Sequence, residues 1–433
     1  MLTRITLGAA LSILIAWVSA ASATDFYVKT DGADTAAGTT WSLALKTISN
    51  AVAKAAASGG GVVTVSNGAY AVSAGISVTA GIVIRSYRNG SVDRAGTVVY
   101  GDGSLAVPVI TLNHAAAKLE GFTVTNGTAR GIVLSNGVVT NCIIAHNKLG
   151  GTTYGAGLSM SAGAVADCII SNNSQIGTGR AGGAEILGGT MSRCEIVKNT
   201  SAKAAGGIYM TAGTLRNCAI SYNTASSGTG GGLYSNQDTP IIEHCRLIGN
   251  TCTTFGGGVY AAKGGRYRNC LLAGNKTGAN GTGGGISGAG ANPLVLESCT
   301  IAHNEAPGTS GGVNFGGTGV NVGAATNCIV YDNVNALTPN VSGPQYCFYS
   351  CSPDLTHGVN HNITNAPMFV AANTLNYRLL AASKCINAGV SQSWMNVAFD
   401  LGGLTRRMGG EVDLGAYETP PPPPPAETII LLR

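Results

Sequence analysis

Charge is scarce in this chain. Only 10% of its 433 residues are Asp, Glu, Lys or Arg, and aromatics make up 6%. The 25 basic residues form no run and no stripe with interleaved aromatics, which argues against nucleic acid as a partner despite a formal net charge of +5. Long apolar runs are missing too, except at the N-terminus. Elsewhere the apolar residues come in short alternating pieces, so the mature chain is expected to have no membrane span. Few charges combined with 64 glycines are unusual for an ordinary globular enzyme and typical of tightly turning repeat architectures.

The single apolar run reads as a targeting segment. Arg4 supplies a positive start, residues 5–18 are apolar but short for a span, and Ala21-Ser22-Ala23 offers an A-x-A cleavage site. Residues 1–23 are therefore expected to be a signal peptide, and the mature protein to be extracellular or on the cell surface.

What the chain does have is repetition. NCIIAHN at 141–147 recurs as DCIISNN, RCEIVKN, NCAISYN, HCRLIGN, NCLLAGN, SCTIAHN and NCIVYDN. The cysteines, Cys142, Cys168, Cys194, Cys218, Cys245, Cys270, Cys299 and Cys328, are separated by 26, 26, 24, 27, 25, 29 and 29 residues. In an exported protein, twelve cysteines would ordinarily suggest a disulfide framework. Even spacing instead makes eight of them one column in a stack of parallel strands about 4.8 Å apart. Stacked Cβ atoms at that spacing sit wider than the roughly 3.8 Å of a disulfide. These eight are expected to be buried and reduced. Cys252, Cys347, Cys351 and Cys385 lie off the column, and a bridge among the last three is open.

Between the cysteine motifs a glycine recurs at Gly157, Gly183, Gly207, Gly232, Gly258, Gly285 and Gly312, in most copies just before an aliphatic residue. Each period thus holds two or three short β-type pieces joined by turns, and such a unit must stack on its neighbours to bury its apolar face. Two positions after each cysteine stand Ile144, Ile170, Ile196, Ile220, Leu247, Leu272, Ile301 and Val330. One position after it the residues are mixed, so period-two alternation puts the cysteines and aliphatics inside. The motif asparagine is expected to close the strand in a left-handed conformation, with its amide bonded to the next coil.

Paired GG[ILV] and [ILV]xxN motifs resemble the repeats of polymorphic outer membrane proteins and, more broadly, right-handed parallel β-helices of the pectate-lyase-like superfamily. Residues 26–70 look like the usual entry to such helices, with a capping helix near 46–58 bearing Ile48, Val52 and Ala55 on one face. Residues 366–418 are similar to the choice-of-anchor module of exported bacterial β-helix proteins, in which Asp400, Arg406, Asp413 and Glu418 match recurring charged positions. The resemblance implies an all-β right-handed parallel β-helix of about 10–11 coils with an N-terminal capping helix and a C-terminal cap. The expected divisions are 24–61 for the N-terminal cap, 62–335 for the β-helix, 336–418 for the C-terminal cap and 419–433 for a proline-rich tail. In that tail Pro420 to Pro425 form a stiff spacer.

Catalysis on this architecture requires carboxylates gathered in one outward groove, either for Ca²⁺ beside a basic residue or as a pair about 5–10 Å apart. The outward columns offer little of this. Two positions before the cysteines, Arg216, Glu243, Arg268 and Glu297 alternate in sign and read as a charge-paired face. His357 and His361 have zinc-compatible spacing but no acidic third ligand, and Asp31 and Asp34 read as turn residues. No cofactor is expected. Tyr209, Tyr234 and Tyr260 fall in three successive coils on the outward side. They are either cladding on the sheet or an aromatic strip for sugar rings. The sequence thus points to an exported, non-catalytic protein acting in adhesion or glycan contact, with an extracellular or cell-surface polysaccharide as partner. The alternative is a polysaccharide lyase or glycoside hydrolase.

Overall fold

A computed structural model of the chain describes residues 23–421, except 88–89, 238–239, 290–291, 317–322, 336–339 and 409. The expected signal peptide and most of the proline-rich tail lie outside the described residues.

One coil illustrates the rest. Leu158–Met160 and Ala164–Ala166 join the widest sheet, Ile169–Ser171 the second, and Ser174–Gln175 the third. Four coils, between residues 158 and 252, hold four strand pieces, and the later ones hold the expected three. Coil-to-coil pairing in these sheets is parallel and, but for a register shift where Ile110–Glu120 meets Ile132–Thr140, in register: Ile144 faces Ile170, Ile170 faces Ile196, and Ile196 faces Ile220. The second sheet has eleven strands, one per coil. This is a parallel β-solenoid whose interior is built of columns of like residues. All eight repeat cysteines are buried, none more than 2% exposed, and none of the eight is bridged.

Two sharp corners per coil explain the motif. The residue before each cysteine, from Asn141 to Asn327, is left-handed, with φ between 49 and 56°. Asn and Asp tolerate this conformation best among non-glycine residues, and they fill five of the eight positions. The corner leaves a carbonyl two residues before each cysteine that the thiol reaches, at 3.2 Å for Cys168 to Ala166 O and 3.2 Å for Cys218 to Arg216 O. Cysteine here fills space as a small hydrophobe and also supplies a weak donor to a buried acceptor.

The second corner corrects one expectation. The left-handed residue is the one preceding the motif asparagine, as at Asn172, Lys198 and Tyr222. The asparagine itself points inward and forms a ladder. Asn173 Nδ2 donates to Asn199 Oδ1 at 3.0 Å, Asn199 to Asn223 at 3.0 Å, and Asn223 to Asn250 at 3.0 Å. Each amide also bonds a strand carbonyl, so every buried polar atom on the rung has a partner. The repeat glycines pack against this ladder. A Cβ on Gly207 would sit 2.5 Å from Gly232 O and 3.0 Å from Asn223 Nδ2, closer than side chains come.

The stack is terminated at both ends. Helix Ile48–Ala57 lies across the first coils and buries Ile48, Ala51, Val52 and Ala55, covering edges that would otherwise pair with other strands. Asp34 fastens its start, accepting from the backbone N–H groups of Lys46 and Thr47 at 3.1 and 2.9 Å. Partial burial works to raise the Asp34 pKa, but these hydrogen bonds outweigh it and hold the carboxyl below its ordinary value. At the far end Ser350 takes the next place in the cysteine column, accepting from Cys328 N at 3.2 Å, and Asp354 closes the asparagine ladder through Asn340.

Residues 369–418 then run back along the outer face of the eleven-stranded sheet. Arg246 donates to Leu401 O at 3.1 Å, Ala416 N to Thr300 Oγ1 at 2.9 Å, and Gly415 N to Asn327 O at 2.8 Å. The column one position after the cysteines is accordingly outward in every coil but exposed only in the earlier ones. Leu271, Thr300 and Ile329 are each 1% exposed beneath this cover. Inside the cover, Arg406 is fully buried against Glu418 at 3.2 Å, and Asp400 and Asp413 accept backbone N–H groups.

Candidate functional site

The outward column of the widest sheet runs in register through Ser159, Glu185, Tyr209, Tyr234, Tyr260, Ser287 and Asn314. Strand pairing places the three tyrosines side by side, with ring centroids 5.2 and 5.1 Å apart. They form no flat strip. Their planes are inclined at 42° and 71°, and Tyr209 is only 6% exposed while Tyr234 and Tyr260 are half-buried. Burial raises the pKa of both Tyr234 and Tyr260, so these two are neutral donors at physiological pH.

The row is longer than the strand column alone. Tyr154 adds a ring edge-on to Tyr209 at 5.0 Å, and Phe255 stacks on Tyr260 at 5.8 Å. The Arg180 guanidinium lies over the rings of Tyr154, Tyr209 and Tyr234 at 5.9, 5.3 and 4.9 Å, a cation–π arrangement. Tyr154, Arg180 and Phe255 each stand three residues before a repeat glycine. They therefore form a second column beside the first, a periodicity that sequence reasoning on the strands alone passes over. At the Tyr209 end, Arg180 and Asn236 both reach the phenol oxygen at 3.5 Å.

The acid in this column is engaged. Glu185 accepts from Ser159 Oγ at 2.6 Å and pairs with Arg130 at 3.7 Å. Across the same sheet, the alternating column forms an ion-pair ladder beside a cleft of about 530 Å³. Arg216 meets Glu243 at 3.4 Å, Arg268 meets Glu243 at 3.6 Å and Glu297 at 2.5 Å, and Arg266 meets Glu297 at 2.6 Å. Both glutamates are thus held between guanidinium groups, which suits a structural ladder rather than proton transfer. Trp394, from the C-terminal cover, lies against Arg268 at 4.9 Å.

The remaining candidates are separated by the fold. His361 stacks on Tyr349 at 4.4 Å. Asp31 pairs with Lys29 at the surface. Among the described residues no group of three or more His, Cys, Asp or Glu side chains is arranged to hold a metal ion, and no helix is long and apolar enough to cross a membrane.

No protein-family model matches the chain, and no curated protein matches it, so the repeat and anchor-module resemblances rest on their motifs alone. Among solved structures, the chain is similar to the crystal structure of pectate lyase Pel9A, with a TM-score of 0.50 and 15% identity over 91% of this chain and 96% of that one. At that identity the likeness speaks to architecture, and the architecture is the all-β, right-handed parallel β-helix of the pectate-lyase-like fold.

Proposed function

We propose that this is an exported β-helix protein that contacts an extracellular or cell-surface polysaccharide without cleaving it. The observation that carries this reading is the aromatic row. Strand stacking holds Tyr234, Tyr260 and the 42%-exposed Phe255 in a fixed line beside Arg180. Pyranose rings offer C–H faces to aromatic edges and planes, and their hydroxyls suit the phenols and the guanidinium. The tilt of the rings favours contact in the troughs between neighbouring coils rather than flat stacking. Tyr209 then serves as support beneath Arg180. The carboxylates nearest to the row and the cleft are all ion-paired, which supports binding over hydrolysis or elimination. Adhesion to a glycan-bearing surface follows from binding of this kind.

A second reading, a polysaccharide lyase or hydrolase, draws on the fold shared with pectate lyase Pel9A and on the Glu243 and Glu297 pair that shares Arg268 in the cleft. One experiment separates the two. The purified protein is incubated with a panel of plant, algal and bacterial polysaccharides, and retention is measured alongside new reducing ends and unsaturated products. Retention without product supports contact alone. Product formation that disappears on Glu243→Gln or Glu297→Gln substitution establishes the enzyme, and no retention on any polysaccharide removes the glycan reading.

A further inference from the structure

We infer that Cys351 and Cys385 form a disulfide that fastens the C-terminal cover to the last coil of the solenoid. The repeat cysteines point inward, side by side, each from the same place in its coil. Cys351 differs. It bridges in parallel to Ile329 and to Ile363, which puts it in the outward column that follows Thr300 and Ile329. Its side chain therefore leaves the solenoid interior and enters a separate apolar cluster with Ile329, Leu379, Cys385 and Leu414. Cys385 enters the same cluster from the opposite side, on a segment held by Leu414 N donating to Cys385 O at 2.9 Å. Both are 0% exposed and lie in the same small buried cluster, where Cys351 Sγ also reaches Asn365 O at 3.1 Å.

Cysteines brought together from two packed elements can supply what a disulfide needs, Cβ atoms facing each other at roughly 4 Å. Stacked cysteines in parallel register do not. Cys347 is excluded by direction. It pairs with Ala325 on the inward side and belongs to the main core. Cys252 sits in the third sheet, paired with Ala225. Of the twelve cysteines, only this pair joins two separate parts of the fold.

Bond formation removes two electrons and two protons from the two thiols. A disulfide-bearing thiol oxidant accepts them by thiol–disulfide exchange and leaves as the dithiol. Because both thiols end up buried, the exchange takes place before the cover has fully docked. The product closes a loop from 351 to 385 and ties residues 369–418 to the sheet they cover. Loss of the bond frees the cover locally while the cysteine and asparagine columns stay intact.

The test is a thiol count on protein folded in a glutathione–glutathione disulfide buffer, denatured without reductant and alkylated. Ten modified cysteines and one cross-linked peptide pair containing Cys351 and Cys385 are expected. Cys385→Ser should leave eleven modified cysteines. Dithiothreitol should lower the melting temperature of the parent towards that of Cys385→Ser and leave the variant unmoved. Twelve modified cysteines in the parent, or a cross-link through any other cysteine, overturns the inference. The count on the parent decides the matter even where the variant fails to fold.

Discussion

Replacing Asn223 with alanine removes one rung from the middle of the buried ladder. In the folded chain Asn223 Oδ1 accepts from Asn199 N at 2.9 Å and from Asn199 Nδ2 at 3.0 Å. Its own Nδ2 donates to Ile196 O at 2.9 Å and to Asn250 Oδ1 at 3.0 Å. Alanine retains the backbone donor to Asn250 but strips the acceptor from the buried Asn199 N–H. An orphaned buried donor costs about 1–3 kcal/mol, and each further lost bond about 1 kcal/mol. With three further bonds lost, the expected total is on the order of 4–6 kcal/mol. Each coil touches only its neighbours, so the loss falls on the central coils rather than spreading evenly. Urea unfolding followed by far-ultraviolet circular dichroism, compared at the parent midpoint, measures it. Native-state hydrogen exchange should show protection falling first around residues 196–200 and 220–224. A loss below about 1 kcal/mol, with exchange unchanged there, would mean that the ladder does not hold the coils together.

Gly207→Ala should destabilise by about 2 kcal/mol or more through overpacking, because its Cβ meets Gly232 O at 2.5 Å, whereas Gly150→Ala, with nothing within 4 Å, should be neutral; paired melting curves check this. Ile220→Asp puts an unpartnered carboxyl in a position that is 0% exposed and should prevent folding of the central coils, visible as lost strand signal in circular dichroism. Glu418 gives a pH dependence. Burial, reinforced by Asp413 and opposed by Arg406, pushes its pKa up from 4.5 to about 8. A folded-state pKa above the unfolded value means that the folded protein binds the extra proton. This contribution is fully present below about pH 4.5 and is lost as pH rises through about 8, to the extent of a few kcal/mol. Melting temperature should therefore fall between pH 5 and 8, and Glu418→Gln should flatten that slope; an equal slope in the variant assigns it to other groups.

Most of the architecture is legible in the sequence because parallel in-register stacking turns a column in space into a period along the chain. Cys142 to Cys328, the asparagines and the repeat glycines all announce themselves this way, as do Tyr209, Tyr234 and Tyr260. Contacts without a period are silent. Nothing near Leu271, Thr300 or Ile329 signals that residues about a hundred positions later cover them, since that packing joins a regular surface to an irregular segment. The expected left-handed corner lies one residue earlier, at a position filled by His146, Asn172, Lys198, Tyr222 and others, so residue type does not mark it and only backbone geometry tells which residue turns the chain. Tyr154, Arg180 and Phe255 lie outside the strands, so strand alternation does not mark them, although each stands three residues before a repeat glycine. The tilt of the aromatic rings follows from packing between coils, which spacing alone does not contain.

Glycan contact through the aromatic row is tested most directly by affinity electrophoresis of the parent and the Tyr209→Ala, Tyr234→Ala, Tyr260→Ala triple variant through gels containing a retaining polysaccharide, with melting temperatures recorded beside them. The two contacting rings, Tyr234 and Tyr260, are each worth on the order of 1 kcal/mol, so contact through the row predicts loss of retention by roughly thirtyfold or more in a variant that still folds. Full retention by a stably folded triple variant would contradict it.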